Sequence, residues 1–135
     1  MRDGQTRKLK SSPGTGGIQE FLAKFEAKLV VVAGAGAGTE FILDQEMRTI
    51  GRGPGVDLAF DNPDMSRQHA VIEFAGGGFR VRDLGSTNGT VVNGAPAQTA
   101  ELQHGDRMQF GNQTLQLVIE ERESMPETYE LPPVG

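Results

Sequence analysis

The sequence predicts an all-β fold: a sandwich of two twisted antiparallel sheets, preceded by a short helix. Two observations support this prediction. Short segments that favour strands recur between residues 28 and 119, and in several of them apolar and polar side chains alternate, as in Phe79-Arg80-Val81-Arg82. Turns rich in glycine or asparagine separate these segments. Many short strands with frequent turns are typical of a sandwich rather than an α/β fold.

The first element is predicted to be an amphipathic helix over residues 18–27. Its apolar residues Ile18, Phe21, Leu22 and Phe25 follow a helical spacing and form one face, and Leu29, two residues beyond the helix, continues that spacing. Two interpretations stay open, a helix that packs on the domain and a helix that docks on a partner.

The strands follow from residue 28 onward. Asn93-Gly94 comes directly after Val91-Val92, which is a signal for a type I′ hairpin. The glycine-rich segment 34–38 lies between two strand segments, so it is predicted to be a flexible hairpin and not a nucleotide-binding loop, which would lead into a helix. The predicted strands are Lys28–Ala33, Glu40–Leu43, Ala70–Phe74, Phe79–Leu84, Arg107–Phe110 and Thr114–Ile119.

Composition excludes several classes of function. The 135 residues include 13 Lys+Arg against 18 Asp+Glu and no Cys, and the net charge is −5. Without cysteine there is no disulfide, thiolate zinc site or cysteine nucleophile. The acidic balance argues against nucleic-acid binding, and the longest apolar run is too short for membrane insertion. No secretory signal is evident, so a cytoplasmic location is expected.

Charge and composition divide the chain into segments. Residues 1–17 are basic, residues 121–135 are acidic, and both are poor in apolar residues, so both are predicted to be disordered tails. Residues 28–120 are left as the folded domain after the helix at 18–27.

Polar groups recur in the predicted loops, at positions where a β-sandwich has no structural need of them. They are Gly51-Arg52, Ser66-Arg67-Gln68-His69, the segment 83–90 (Asp-Leu-Gly-Ser-Thr-Asn-Gly-Thr) and Asn93-Gly94. In this order and at these spacings, the sequence resembles a forkhead-associated (FHA) domain over about residues 28–120.

The resemblance implies a sandwich that binds phosphothreonine peptides through loops at one end. It assigns the phosphate contacts to Arg52, Ser66, Arg67 and Thr87, and it implies that the Asn88 amide holds the peptide backbone. A phosphothreonine carries about −1.5 to −2 charges and three acceptor oxygens, which suit a guanidinium and fixed donors. The resemblance and turn chemistry give a structural role to Gly51, His69, Gly89, Asn93 and Gly94.

Each site residue also has a simpler interpretation. Arg52 is an ordinary surface arginine if it pairs with Asp57 or Asp61, and Ser66 is a turn residue if it only caps the loop after Pro63-Asp64. Ser66, His69 and Asp83 are the residue types of a catalytic triad, but no oxyanion-hole motif accompanies them. His69 and His104 have no partner at metal-ligand spacing. The sequence therefore predicts neither an enzyme nor a metal or cofactor site.

The predicted function is a non-catalytic phosphothreonine-binding module in Ser/Thr kinase signalling. The partner is a phosphothreonine-containing protein, either a kinase or its substrate, or the chain's own phosphorylated tail. The candidate phosphorylation sites for self-binding are Thr6, Thr15 and Thr128. The alternative is a phosphate-independent interaction module of a larger assembly.

Overall fold

The structure, a computed structural model, describes residues 15–122. Most of the two predicted disordered tails, including Thr6 and Thr128, lies outside these residues. The described part consists of one helix and two β-sheets that pack face to face around a hydrophobic core. No helix in this part of the chain is long and apolar enough to cross a bilayer.

One helix and eleven strands make up the described chain. The helix, α1, is Thr15–Lys24. The strands are β1 (Phe25–Ala33), β2 (Glu40–Ile42), β3 (Met47–Gly51), β4 (Leu58–Ala59), β5 (Ala70–Ala75), β6 (Gly78–Asp83), β7 (Thr90–Val92), β8 (Ala95–Pro96), β9 (Thr99–Leu102), β10 (Arg107–Phe110) and β11 (Gln113–Glu121).

The strands form a five-stranded sheet in the order β9-β6-β5-β3-β4 and a six-stranded sheet in the order β2-β1-β11-β10-β7-β8. The predicted sandwich is therefore confirmed. Neighbouring strands are antiparallel with one exception, since β3 and β4 pair in parallel. Both sheets contribute buried side chains to the core, among them Leu29, Ile72, Phe79, Phe110 and Leu115.

The helix is present, but its predicted boundaries are wrong. It begins at Thr15 and ends at Lys24, whereas residues 25–27 already belong to β1 and pair with β11. The Phe25 ring stacks on Phe21 with centroids 5.2 Å apart, so Phe25 continues the apolar face of α1 from a strand position. Ile18 is only 3% exposed, which supports the interpretation that the helix packs on the domain.

Each predicted strand segment corresponds to a strand in the structure, and Asn93-Gly94 forms the expected hairpin turn. Both residues have positive φ, 51° and 84°, as a type I′ turn requires. Apart from the hairpin signal at Asn93-Gly94, the sequence pattern does not mark the other five strands, because they are very short or lack alternation: Met47–Gly51, Leu58–Ala59, Thr90–Val92, Ala95–Pro96 and Thr99–Leu102.

The two ends of the sandwich differ in what lies there. The loop end comprises residues 34–39, 60–69, 84–89 and 111–112, together with Arg52 directly after β3. The helix end comprises α1 and the turns at 43–46, 76–77 and 103–106. Every residue predicted to contact phosphate or peptide lies at the loop end.

Candidate functional site

Two loops at the loop end are tied to each other through Ser66. The Thr87 backbone N–H donates to Ser66 Oγ over 2.9 Å, and the Arg52 N–H donates to the Ser66 carbonyl over 3.0 Å. Ser66 is half-buried, whereas Arg52, Arg67, Thr87 and Asn88 are exposed. The predicted site residues therefore come together on one exposed surface, which we call the loop site.

His69 is the buried centre beneath this surface. It is 0% exposed and packs edge-on against Phe110. Its Nδ1 accepts from the Ser66 N–H over 3.2 Å, and its Nε2 donates to the Gly89 carbonyl over 2.8 Å. These bonds fix the tautomer with the proton on Nε2. Because backbone groups occupy both ring nitrogens, His69 is not placed to take a proton from the Ser66 hydroxyl.

Asp83 organises the second loop. Its carboxylate accepts from the N–H groups of Gly85 and Ser86 and from the hydroxyls of Ser86 and Thr90, over 2.6–2.9 Å. Burial alone would raise the pKa of Asp83, but the hydrogen bonds from Ser86, Thr90 and Gly85 outweigh burial and lower that pKa. An ionised, nearly buried carboxylate thus fixes the turn that presents Thr87 and Asn88.

Arg52 is held by its backbone neighbours and not by an acidic partner. Its Nε donates to the Met65 carbonyl over 3.0 Å. Asp57, one of the two acids considered for it, instead accepts from Thr49 and pairs with Arg48. Within residues 15–122, Arg52 forms no ion pair, so its terminal nitrogens remain available to an anion.

Gly51 is required by close packing beneath the loop site. A Cβ at this position would lie 2.0 Å from the Arg67 carbonyl oxygen, a distance that no side chain permits. The structure thus supports a backbone role for Gly51. Gly89 has a φ of 80°, which accounts for glycine after Asn88.

Asn88 borders a cleft of about 370 Å³ lined by Asp64, Val91, Gln109, Gly111 and Asn112. Its Nδ2 donates to the Asp64 carbonyl over 2.7 Å. The Asp64 carboxylate accepts in turn from the Asn112 side chain. Asn88 is therefore already oriented before any ligand binds, and within residues 15–122 its Oδ1 and its second N–H form no further hydrogen bond.

Sequence reasoning missed three amide residues that support the loop site: Asn62, Asn112 and Gln113. Asn62 and Gln113 are buried, at 6% and 0% exposure, and bond to each other across 51 positions of sequence. The Asn62-Pro63 dipeptide was the available local signal, since it marks a turn. Nothing local marks Gln113 on β11.

Some predicted residues do not join the loop site. Asn93 lies in the β7–β8 turn and bonds to Asp106 and to the Arg107 N–H, at the other end of the sandwich. This agrees with the structural role that was expected for Asn93 and Gly94. Thr15 is the first residue of α1, at the helix end. Thr6 and Thr128 lie outside the described residues.

The fold and the loop site together define a class of protein, a β-sandwich domain whose loops at one end present cationic and amide side chains. The sequence model of the FHA domain family matches residues 48–111. With the relatives described next, this match shows that the chain belongs to the FHA-domain family.

Two bacterial regulators resemble the chain in sequence. The "Glycogen accumulation regulator GarA" of Mycolicibacterium smegmatis is 45% identical over 92 residues, which cover 68% of this chain and 58% of that protein. The "Oxoglutarate dehydrogenase inhibitor" of Corynebacterium glutamicum is 41% identical over 108 residues, covering 78% of this chain and 76% of that protein. The chain thus spans a little over half of one of these relatives and about three quarters of the other.

Solved structures agree with this assignment. An FHA domain from a structural and functional analysis of phosphothreonine-dependent FHA domain interactions superimposes with a TM-score of 0.63 at 31% identity. The superposition covers 69% of this chain and 95% of that domain.

Proposed function

We propose that this chain is a non-catalytic phosphothreonine-binding module that acts in Ser/Thr kinase signalling. One observation carries the proposal. The side-chain donors of the loop site are exposed on one surface, while the groups that position them, His69 and Asp83, are buried and hydrogen-bonded. A surface of fixed donors over a rigid base suits an anion that has several acceptor oxygens.

The ligand phosphate is assigned to Arg52, Ser66, Arg67 and Thr87. The Ser66 oxygen accepts from the Thr87 N–H, so its own O–H is available to donate to a phosphate oxygen. The two terminal nitrogens of Arg52 supply positive charge and four N–H donors. Arg67 lies beside Gly53 on the same surface. A dianionic phosphate gains most from such charge-assisted hydrogen bonds.

The peptide backbone is assigned to Asn88. With one N–H bonded to the Asp64 carbonyl, the amide retains one donor and its carbonyl oxygen. It can therefore bond both an N–H and a C=O of an extended peptide. The resemblance to the FHA family implies a preference for phosphothreonine over phosphoserine, because that family discriminates by a pocket for the γ-methyl group.

The test is a titration of the chain with a degenerate phosphothreonine peptide pool, followed by fluorescence anisotropy. Phosphoserine and unphosphorylated pools serve as controls. The proposal predicts micromolar binding of the phosphothreonine pool alone and loss of that binding in Ser66→Ala/Arg67→Ala. Equal binding of all three pools would contradict it.

The partner is proposed to be a phosphorylated protein in trans or the chain's own phosphorylated tail. Capture of Thr15 would require the start of α1 to leave the helix end, where Gly17 lies against Phe74. Thr6 and Thr128 lie outside the described residues. Phosphorylating the full chain with a Ser/Thr kinase, in wild type and in Thr6→Ala and Thr128→Ala, tests self-capture. Self-capture predicts that phosphorylation lowers the affinity for added peptide and that one of these substitutions restores it. Because self-capture is intramolecular, the loss should not depend on protein concentration.

A second candidate function is inhibition of an oxoglutarate dehydrogenase. It is favoured by the 41% identity to a protein of that name over 76% of its length. If this inhibition does not require a phosphorylated ligand, the chain acts as a phosphate-independent interaction module, which is the alternative function that the sequence left open. Assaying a purified oxoglutarate dehydrogenase with wild type and Arg52→Ala decides between them. Inhibition that survives Arg52→Ala would show a phosphate-independent contact.

A further inference from the structure

A continuous chain of hydrogen bonds runs from the glycine-rich hairpin at residues 34–38 to the loop site. The Ala35 N–H donates to Gln113 Oε1 over 3.0 Å, and Gln113 Nε2 donates back to the Ala35 carbonyl over 2.6 Å. Gln113 Oε1 also accepts from Asn62 Nδ2 over 3.1 Å. Gln113 therefore ties the hairpin to the loop that precedes Ser66.

The chain continues from Asn62 to Asn88. Asn62 Oδ1 accepts from the Asp64 N–H over 3.0 Å, which is an Asx-turn, and its carbonyl accepts from the Met65 N–H. The Asp64 carbonyl then accepts from Asn88 Nδ2 over 2.7 Å. The peptide groups on both sides of Asp64 are thus fixed by side-chain amides, one buried and one in the loop site.

Close packing restricts the movement of these hydrogen-bonded residues. A Cβ on Gly34 would lie 2.7 Å from Gln113 Oε1, and a Cβ on Gly111 would lie 2.6 Å from the Asp64 carbonyl oxygen. The amides of Gln113 and Asn62 are shielded from water, so no solvent molecule replaces a lost partner cheaply. Breaking one bond therefore displaces its neighbours in the chain.

We propose that Asn62 and Gln113 are positioning residues for ligand binding, which act through Asp64 to hold the Asn88 amide in the orientation that a peptide backbone requires. The inference rests on the proposed phosphopeptide function for its effect on affinity. It predicts that the side chain of Gln113, which is buried under the hairpin and does not contact the ligand, changes the affinity for the peptide. The Arg67 side chain forms no hydrogen bond with this network in residues 15–122, so its proposed contact with phosphate is independent of Gln113.

The test compares two glutamines on β11. Gln113→Met removes the amide that joins Ala35 to Asn62. Gln116→Met is the matched control, because Gln116 also donates a side-chain bond to a loop carbonyl, that of Gly105, but at the helix end. We expect Gln113→Met to weaken phosphothreonine-peptide binding about fivefold, the equivalent of one oriented hydrogen bond, and Gln116→Met to leave it unchanged.

A double-mutant cycle separates positioning from general loosening of the fold. In the Asn88→Ala background, Gln113→Met should cost no further affinity, whereas in the Arg67→Ala background it should cost the full fivefold. Equal losses in both backgrounds, or no loss in either, would overturn the proposal. Asn62→Ala breaks the same chain one link closer to the site and gives a second reading if Gln113→Met does not fold.

A ligand-free measurement distinguishes this inference from the proposed function. In NMR spectra of the free chain, the Asn88 side-chain amide signals should shift in Gln113→Met and stay in place in Gln116→Met. Unshifted signals in Gln113→Met would overturn the coupling itself. If wild type binds no phosphopeptide, the proposed function and the predicted effect on affinity both fail. The Asn88 signals still show whether the hydrogen bonds couple Gln113 to the Asn88 amide.

Discussion

The helix end and the loop end of the sandwich are built from different interactions. At the helix end, the rings of Phe21, Phe25, Phe74 and Phe79 lie with centroids 5.0–5.3 Å apart and close the core with apolar surface. At the loop end, His69, Asp83, Asn62 and Gln113 form buried hydrogen bonds, while cations stay exposed. The helix end is thus closed by apolar packing, whereas the loop end consists of buried hydrogen bonds beneath exposed cations.

The largest effect that separates the ends is expected from Phe79→Ala. Phe79 is 1% exposed and contacts both Phe21 and Phe74, so its loss leaves a cavity. We expect the free energy of unfolding to fall by about 3–5 kcal/mol, measured by urea denaturation. Phosphopeptide affinity of the folded protein should not change. A tenfold loss of affinity would show that the helix end contributes to the site.

The next effect concerns the base of the loop site and depends on pH. Asp83→Asn replaces an oxygen that accepts from the N–H groups of Gly85 and Ser86 by a donor, which should destabilise the fold by about 2 kcal/mol near pH 7. The pKa of Asp83 in the folded protein lies below its ordinary value of 3.8. Its ionised form therefore stabilises the fold, and this stabilisation is complete at pH values above the ordinary pKa. This stabilisation is lost as pH falls through the folded pKa.

Urea midpoints of wild type and Asp83→Asn, measured from pH 6 to about pH 2.5, check this prediction. The gap between the two proteins should be constant above pH 5 and narrow on acidification. Other acids with lowered pKa values, such as Glu73 and Asp57, titrate in both proteins and cancel in the difference. A gap that widens at low pH would contradict the assignment.

Arg52→Ala should have the opposite effects to Phe79→Ala: a large loss of peptide affinity and a small loss of stability. Removing an exposed cation that the site uses should weaken phosphothreonine-peptide binding at least about tenfold, or ~1.4 kcal/mol. Unfolding free energy should fall by about 1 kcal/mol or less, since one bond to the Met65 carbonyl is lost. Isothermal titration calorimetry measures the affinity, with Arg107→Ala, another exposed arginine, as the control. Equal affinities in the two variants would refute the site.

The smallest effect is expected from Met47→Gln at the start of β3. Met47 is 55% exposed at the helix end, so its substitution should change stability by less than about 0.5 kcal/mol. Peptide affinity measured in the same titrations should be unchanged. Loss of binding in this variant would extend the site to the helix end.

The sequence predicted what is encoded locally. Asn93-Gly94 determines its own turn. Arg52, Ser66 and Asn88 belong to a motif that is visible in the order and spacing of residues along the sequence, so their presence in the loops could be predicted. The boundary of α1 was wrong because Phe25 keeps the helical spacing while it pairs with Glu121 on β11. The bond between Asn62 and Gln113 joins positions that only the folded sandwich brings together, so no local pattern predicted it.

We propose that the loop end, and not the helix end, binds a phosphothreonine peptide. Titrating isotope-labelled protein with such a peptide and following the backbone amide signals by NMR tests it most directly. The signals of Arg52, Ser66, Thr87 and Asn88 should shift, while those of α1 and of the turns at 76–77 and 103–106 should stay unchanged. Shifts centred on α1, or none at the loop end, would contradict it.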